Sequence, residues 1–248
     1  MAISSLQSTT LLLRSTRSYY FFDKVQYAQD WDRWLKIIYD TQPDTHVVAT
    51  GSASPALMKG SRESGAGRWT VIQVPTMSFY EYCELLNLDR PNIASDLKVT
   101  TLLHKSQIER TQIMMQLSKV QNHFMRYLQV GGFPELALAD NDLMAQQIMR
   151  EDVVDKVLKR DLPSLYNIRN ATELERIFLY LCNVSSEIVS IEAITKELNG
   201  VSRTTVENYI QYLESANLIY QSWPVDMAGK KVLKARPKIY IADAAIRN

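Results

Sequence analysis

Asp23 is the residue of this chain around which chemistry is most directly built. It follows Tyr19, Tyr20, Phe21 and Phe22 without a break, and an apolar, aromatic run that stops at a carboxylate predicts a strand buried on both faces with the acid at its carboxyl end. Ligands of open α/β sheets sit at that edge, where a carboxylate holds Mg²⁺ through its water shell beside the phosphates of a nucleotide. An aspartate in this place also serves as the cap of a following helix. His46-Val47-Val48-Ala49-Thr50 reads as a second buried strand that ends in Gly51-Ser52-Ala53-Ser54. A hydroxyl there either caps the next helix or, as Thr50 or Ser52, reaches a γ-phosphate or its attacking water from the neighbouring strand. Arg68 follows Gly65 and Gly67, as a solvated surface charge or as a guanidinium that pairs with phosphate at the mouth of such a site. Late in the chain Lys230, Lys231, Lys234, Arg236 and Lys238 crowd together, preceded by Arg203. Cations so placed grip a nucleic-acid backbone without reading its sequence, or lie on a solvated hairpin.

Several other chemistries are disfavoured. Gly51-Ser52-Ala53-Ser54 does not fit the G-x-S-x-G elbow of a serine hydrolase, because position 53 is alanine. His46, His104 and His123 have no HExxH or paired-ligand spacing, which argues against a zinc site. Cys83 and Cys182 stand far apart and outside any CxxC pair, as expected of buried, reduced thiols in a cytoplasmic protein. With 46% hydrophobic and 22% charged residues and a formal net charge of +1, the 248-residue chain has the composition of an ordinary globular protein. Bulk charge therefore implies no nucleic-acid binding. No apolar run reaches membrane-span length, and residues 1–14 lack a signal-peptide cleavage site, so no membrane partner is expected.

The elements that must position these residues alternate in period. A short helix is expected within residues 1–18, ahead of the Asp23 strand. Trp31, Trp34, Leu35 and Ile38 recur at helical spacing, which predicts a helix packed on the sheet with the tryptophans as core anchors. The His46 strand follows, and residues 69–74, stopped by Pro75, read as a third. Ser78 and Glu81 are spaced as a capping box. One long helical pattern runs over 102–129, dense enough in apolar residues to be core or a lid, and Gly131-Gly132-Phe133-Pro134 ends it. Another spans 142–160 and is expected to stop at Asp161-Leu162-Pro163. Three short helices follow, over 174–183, 190–198 (N-cap Ser190, stop at Gly200) and from Ser202 onward; then come strands at 218–222 and 237–241. This is the plan of a winged helix, and it places domains at 1–163 and 164–248.

Taken together, Tyr20-Phe21-Phe22-Asp23-Lys24-Val25-Gln26, Ala49-Thr50-Gly51-Ser52 with Gly65-Ala66-Gly67-Arg68, Pro75-x-x-Ser78-Phe79-x-Glu81-Tyr82, and Gly131-Gly132-Phe133-Pro134 resemble one family. It is the prokaryotic AAA-like P-loop ATPases with a C-terminal domain of unknown function. The resemblance covers most of the chain. It implies an α/β fold with a P-loop NTPase-type parallel sheet and flanking helices, then a helical linker region and the winged helix. It also implies ATP and Mg²⁺ as cofactors of the parent family, Asp23 as Walker B aspartate and metal ligand, Ser52 near the sensor-1 position, and Arg68 facing phosphate.

Two departures limit what carries over. The P-loop G-x-x-x-x-G-K-[ST] is absent; in Gly229-Lys230, the only Gly-Lys pair, Pro224 stands where the first glycine belongs. The 18 residues before the Asp23 strand cannot hold the family's P-loop strand and helix, so the sheet is expected to be incomplete, and the far C-terminus of the family is not reached either. Lys24 replaces the glutamate that follows the Walker B aspartate, and an ammonium has no lone pair with which to accept a proton from water. Losing such a base costs about 10²- to 10⁴-fold in rate. The expectation is a truncated or degenerate family member that does not hydrolyse ATP on its own. The alternative is a non-enzymatic winged-helix module that binds DNA, through Arg203 and the basic cluster, or protein. An incomplete sheet would also favour self-association.

Overall fold

The computed structural model describes residues 18–51, 68–94, 96–225 and 235–247, so the helix expected within 1–18 lies outside the described residues. The chain divides into two compact units that part between Val71 and Ile72.

In the first unit, strand β1 (Ser18–Phe22) pairs in parallel with β2 (Thr45–Ala49), Ser18 opposite Thr45 through Phe22 opposite Ala49. Helix α1 (Trp31–Thr41) makes the crossover and lies against β2, with Leu35 buried. β1 is not buried on both faces. Strand alternation puts Tyr20, Phe22, Val47 and Ala49 on a half-buried face and Tyr19, Phe21, His46 and Val48 on the other, where Phe21 is 75% exposed and no described element covers it. Trp34, expected as a core anchor, is half-exposed. The third strand expected over 69–74 does not form. A strand needs a neighbour to take its N–H and C=O groups; no described strand flanks this segment, and Ile72 and Val74 are exposed.

The second unit holds the larger core. Helix α2 (Phe79–Leu85) opens on the predicted capping box, Ser78 and Glu81 exchanging backbone and side-chain hydrogen bonds. The pattern over 102–129 is not one helix but parts of three: α3 (Val99–Leu102), α4 (Gln107–Ser118) and α5 (Gln121–Val130). Ser106 starts α4 with a second capping box, which holds the Glu109 carboxyl down at about 2 through the Ser106 hydroxyl and amide and the neighbouring Lys105. Val120 (φ −105°, ψ 3°) breaks the run again. α4 carries no fully buried residue, and Ile108 and Met114 are exposed.

After α6 (Pro134–Ala137), helix α7 (Asp142–Ile148) continues through π-type turns at Met149–Asp155 and Val157–Asp161 into α8 (Leu162–Tyr166), passing Pro163. Proline normally ends a helix because it lacks the N–H and its ring crowds the carbonyl four residues back. The wider π-type turns ahead of it shift bonding to five residues and make room. The core also crosses position 163 without a break. Leu158 and Leu162 share one buried cluster with Leu174 and Ile177.

The C-terminal helices α9 (Ala171–Asn183), α10 (Ile191–Glu197) and α11 (Arg203–Ser215) form as expected. Ser190 and Ser202 cap α10 and α11, and Gly200 takes φ 98° between them. Strands β3 (Ile219–Ser222) and β4 (Lys238–Ile241) pair antiparallel. On the other edge of β4, residues 186–189 add a short third run, with Ser186 N–H to the Ile239 carbonyl at 2.7 Å and Val189 N–H to the Pro237 carbonyl at 3.1 Å. Cys83 and Cys182 are free and buried, and burial pushes the Cys182 thiol up to about 11.

The glycines that end α5 close a long-range lock. The buried Asp243 accepts from the Gly132 amide at 2.8 Å and from the Ala245 amide at 3.0 Å. The Gly132 carbonyl takes the Met77 N–H at 2.7 Å, and the Tyr127 hydroxyl donates to the Met77 carbonyl at 2.8 Å. A Cβ on Gly132 would collide with the Met77 backbone, and one on Gly131 (φ 79°) with the Asp243 carboxylate. Glycine is therefore required at both places.

Candidate functional site

Asp23 and Thr50 stand at the carboxyl ends of adjacent parallel strands. The ladder runs one residue past β2: Thr50 N–H reaches the Phe22 carbonyl at 2.8 Å and Val25 N–H reaches the Thr50 carbonyl at 3.1 Å. With its backbone fixed on both sides, Thr50 donates its hydroxyl to Asp23 Oδ1 at 2.6 Å. The exposed Asp23 carboxyl is held below its ordinary pKa, chiefly by this hydrogen bond, against some desolvation and with help from the Lys24 amide and ammonium. Lys24 itself sits in the left-handed region (φ 54°). The bond favours the charged form, so it is intact above the ordinary carboxylate pKa and is lost as pH falls through the lowered value. Thr50→Val is expected to raise the Asp23 pKa towards the ordinary value, which a carboxyl NMR titration reads directly.

Among the described residues no group of three acidic, histidine or cysteine side chains forms a metal cage. Mg²⁺ does not require one; it keeps most of its waters and takes one or two carboxylates plus substrate phosphates. A single exposed, ionised carboxylate beside a hydroxyl fits such a water-mediated role. Of the other residues named for this site, Arg68 alone is described. Ser52 lies outside the described residues. Arg68 pairs through Nε with Asp40 at 3.2 Å. Asp40 belongs to the last turn of α1, which returns the chain to the amino ends of the strands, opposite Asp23.

In the second unit, Arg203 and Arg236 meet over one carboxylate. Arg203 Nη1 lies 3.1 Å from Glu192 Oε1, and Arg236 Nη2 lies 3.6 Å from Glu192 Oε2. Arg203 Nε also pairs with Glu207 at 2.9 Å. Ser190 Oγ donates to Glu192 Oε2 at 2.8 Å, and the Glu192 carboxyl is held below its ordinary pKa, first by its own backbone amide and Ser190, then by the two arginines. These groups edge a cavity of about 470 Å³ between α10, α11 and the β3–β4 pair, floored by Val189, Ile210 and Ile239 and flanked by the half-exposed Trp223. Lys238 is exposed on β4; Lys230, Lys231 and Lys234 lie outside the described residues. Glu214 accepts from Gln221, whose amide N–H and side chain reach it at 3.0 and 2.7 Å. Glu192 escapes sequence reading because its partners lie on other elements, and no local spacing announces them.

Two family models match different parts of the chain. An AAA domain model matches residues 2–83, and the model of a domain of unknown function, DUF8612, matches residues 121–248. The uncharacterized protein MJ1544 of Methanocaldococcus jannaschii is 28% identical over 222 residues, covering 88% of this chain and 45% of that protein. An uncharacterized protein of Haemophilus influenzae is 23% identical over 233 residues, covering 92% of this chain and 51% of that protein. The chain thus spans about half the length of the curated relatives it matches. Among solved structures, the Walker-type ATPase PABY2304 of Pyrococcus abyssi superposes with a TM-score of 0.46 at 14% identity, covering 93% of this chain and 62% of that one. No helix of the described residues is long and apolar enough to cross a membrane. With the DUF8612 model matching more than half of its length and an AAA domain ahead of it, the chain belongs to the prokaryotic AAA-like ATPase family that carries this C-terminal domain of unknown function.

Proposed function

We propose that residues 18–50 form the Mg²⁺-holding edge of an ATPase site, with Asp23 as the Walker B aspartate, and that this chain alone does not hydrolyse ATP. The observation that carries the reading is the 2.6 Å bond from Thr50 to Asp23 across two adjacent parallel strands. In that arrangement Asp23 would hold a Mg²⁺ ion through its water shell, with the Thr50 hydroxyl on the adjacent strand beside it. Thr50 takes a sensor-like place in this proposal. Lys24 supplies no base for the attacking water. The test is titration of the chain with a fluorescent ATP analogue, with and without Mg²⁺, beside Asp23→Ala and with phosphate release followed in parallel. Background phosphate release is expected, with weak binding whose Mg²⁺-dependent part vanishes in the variant. Sustained turnover, or tight binding indifferent to both Mg²⁺ and Asp23, would overturn the proposal.

A second reading is favoured by one observation. The strand run 186–189 lies on the free edge of β4, giving the order 186–189, β4, β3 beside three capped helices. This supports a winged helix within 164–248, with α11 as the helix presented to a partner.

A further inference from the structure

We propose that Glu192 is a built-in gate on a phosphodiester-binding groove, holding Arg203 and Arg236 until the backbone of duplex DNA displaces it. This rests on the winged-helix reading and goes beyond it, because it says what holds the two arginines at rest and what frees them. Arg203 begins α11 and Arg236 precedes β4, yet each guanidinium ends on a different oxygen of the same carboxylate. A phosphodiester presents two non-bridging oxygens in much the same disposition, and guanidinium accepts either anion with the same planar fork. Glu192 therefore occupies the position a backbone phosphate would take.

The exchange is physically easy. The side chains of Arg203, Arg236 and Glu192 are all more than half exposed, at 65%, 58% and 57%. Ion pairs this exposed hold their partners only weakly, so a polyanion that releases counterions on binding can replace the internal carboxylate. At rest two arginines face two glutamates, Glu192 and Glu207, so the charges balance among the described lining residues. Displacing Glu192 leaves both arginines for phosphate, while Glu207 remains the i+4 partner of Arg203 alone. Duplex DNA suits the site because the exposed face of the 13-residue α11 offers Thr204, Asn208 and Gln211 beside Arg203. These are uncharged side chains of the kind that reach base edges in a major groove.

The test uses the full chain and fluorescence anisotropy of a labelled random-sequence duplex at several salt concentrations, with a labelled acidic peptide in parallel. Wild type is compared with Glu192→Gln, with Arg203→Ala/Arg236→Ala, and with the three changes combined; thermal melting of each establishes that it is folded. Glu192→Gln should tighten duplex binding about three- to ten-fold. The gain should disappear in the triple variant, and losing both arginines should flatten the salt dependence by about two phosphate contacts. Equal duplex affinity of wild type and Glu192→Gln would overturn the gate while leaving the winged-helix reading standing. Absence of duplex binding by every variant at low salt would overturn both. Tightening towards the acidic peptide alone would overturn the proposal in favour of a protein partner.

Discussion

Asp243→Ala is expected to lower the stability of the Ile72–Asn248 unit by about 3–5 kcal/mol, read as an earlier denaturant midpoint. The carboxylate is 7% exposed and satisfies two main-chain donors, Gly132 N–H and Ala245 N–H. Alanine leaves both without an acceptor in a site that a Cβ on Gly131 would already crowd, and each buried unsatisfied donor costs about 1–3 kcal/mol. The loss is not confined to one turn, because Gly132 also receives the Met77 N–H and Met77 receives the Tyr127 hydroxyl. Residues from three distant parts of the chain therefore loosen together. Asp243→Asn keeps one carbonyl acceptor and should cost clearly less. A loss below about 1 kcal/mol for the alanine variant would mean that water replaces the carboxylate at little cost.

Arg126→Ala should cost about 3 kcal/mol, and Arg126→Lys should recover little of it. The guanidinium holds four groups at once: Asp142 Oδ1, the Tyr82 hydroxyl, and the Ala137 and Ala139 carbonyls, all within 2.8 to 2.9 Å. It ties α5 to the Tyr82 side chain, which is fully buried, and to the turn that leads into α7. A lysine ammonium keeps the charge but cannot span partners arrayed around a planar fork. Denaturant melts of the two variants decide the matter: near-complete rescue by lysine would show that charge, not geometry, does the work.

What the sequence determined by itself is local. The capping boxes and N-caps at Ser78, Ser190 and Ser202 are legible because donor and acceptor lie three residues apart, within reach of a single turn. The strand that ends at Asp23 and the strand from His46 are legible as apolar runs, and the helix from Trp31 is legible from its periodicity. The same local signals failed where a competing signal lay close by. The apolar pattern over 102–129 hides the capping box at Ser106 and Glu109 that begins a new helix, and the helix passes Pro163 because the turns before it widen.

Tertiary structure decided everything that needed two distant residues to meet. Register along β1 and β2 put Thr50 on Asp23, and the course of α1 carried Arg68 to Asp40 at the opposite end of the strands. The fold of the second unit brought Glu192 between Arg203 and Arg236, and Asp243 onto the glycines that end α5. Residues 69–74 have the composition of a strand but not its pairing, since a strand exists only when another backbone accepts its hydrogen bonds. Spacing along the chain encodes a turn or a cap. It does not encode which carboxylate a guanidinium will find across the fold, because that depends on how whole elements pack.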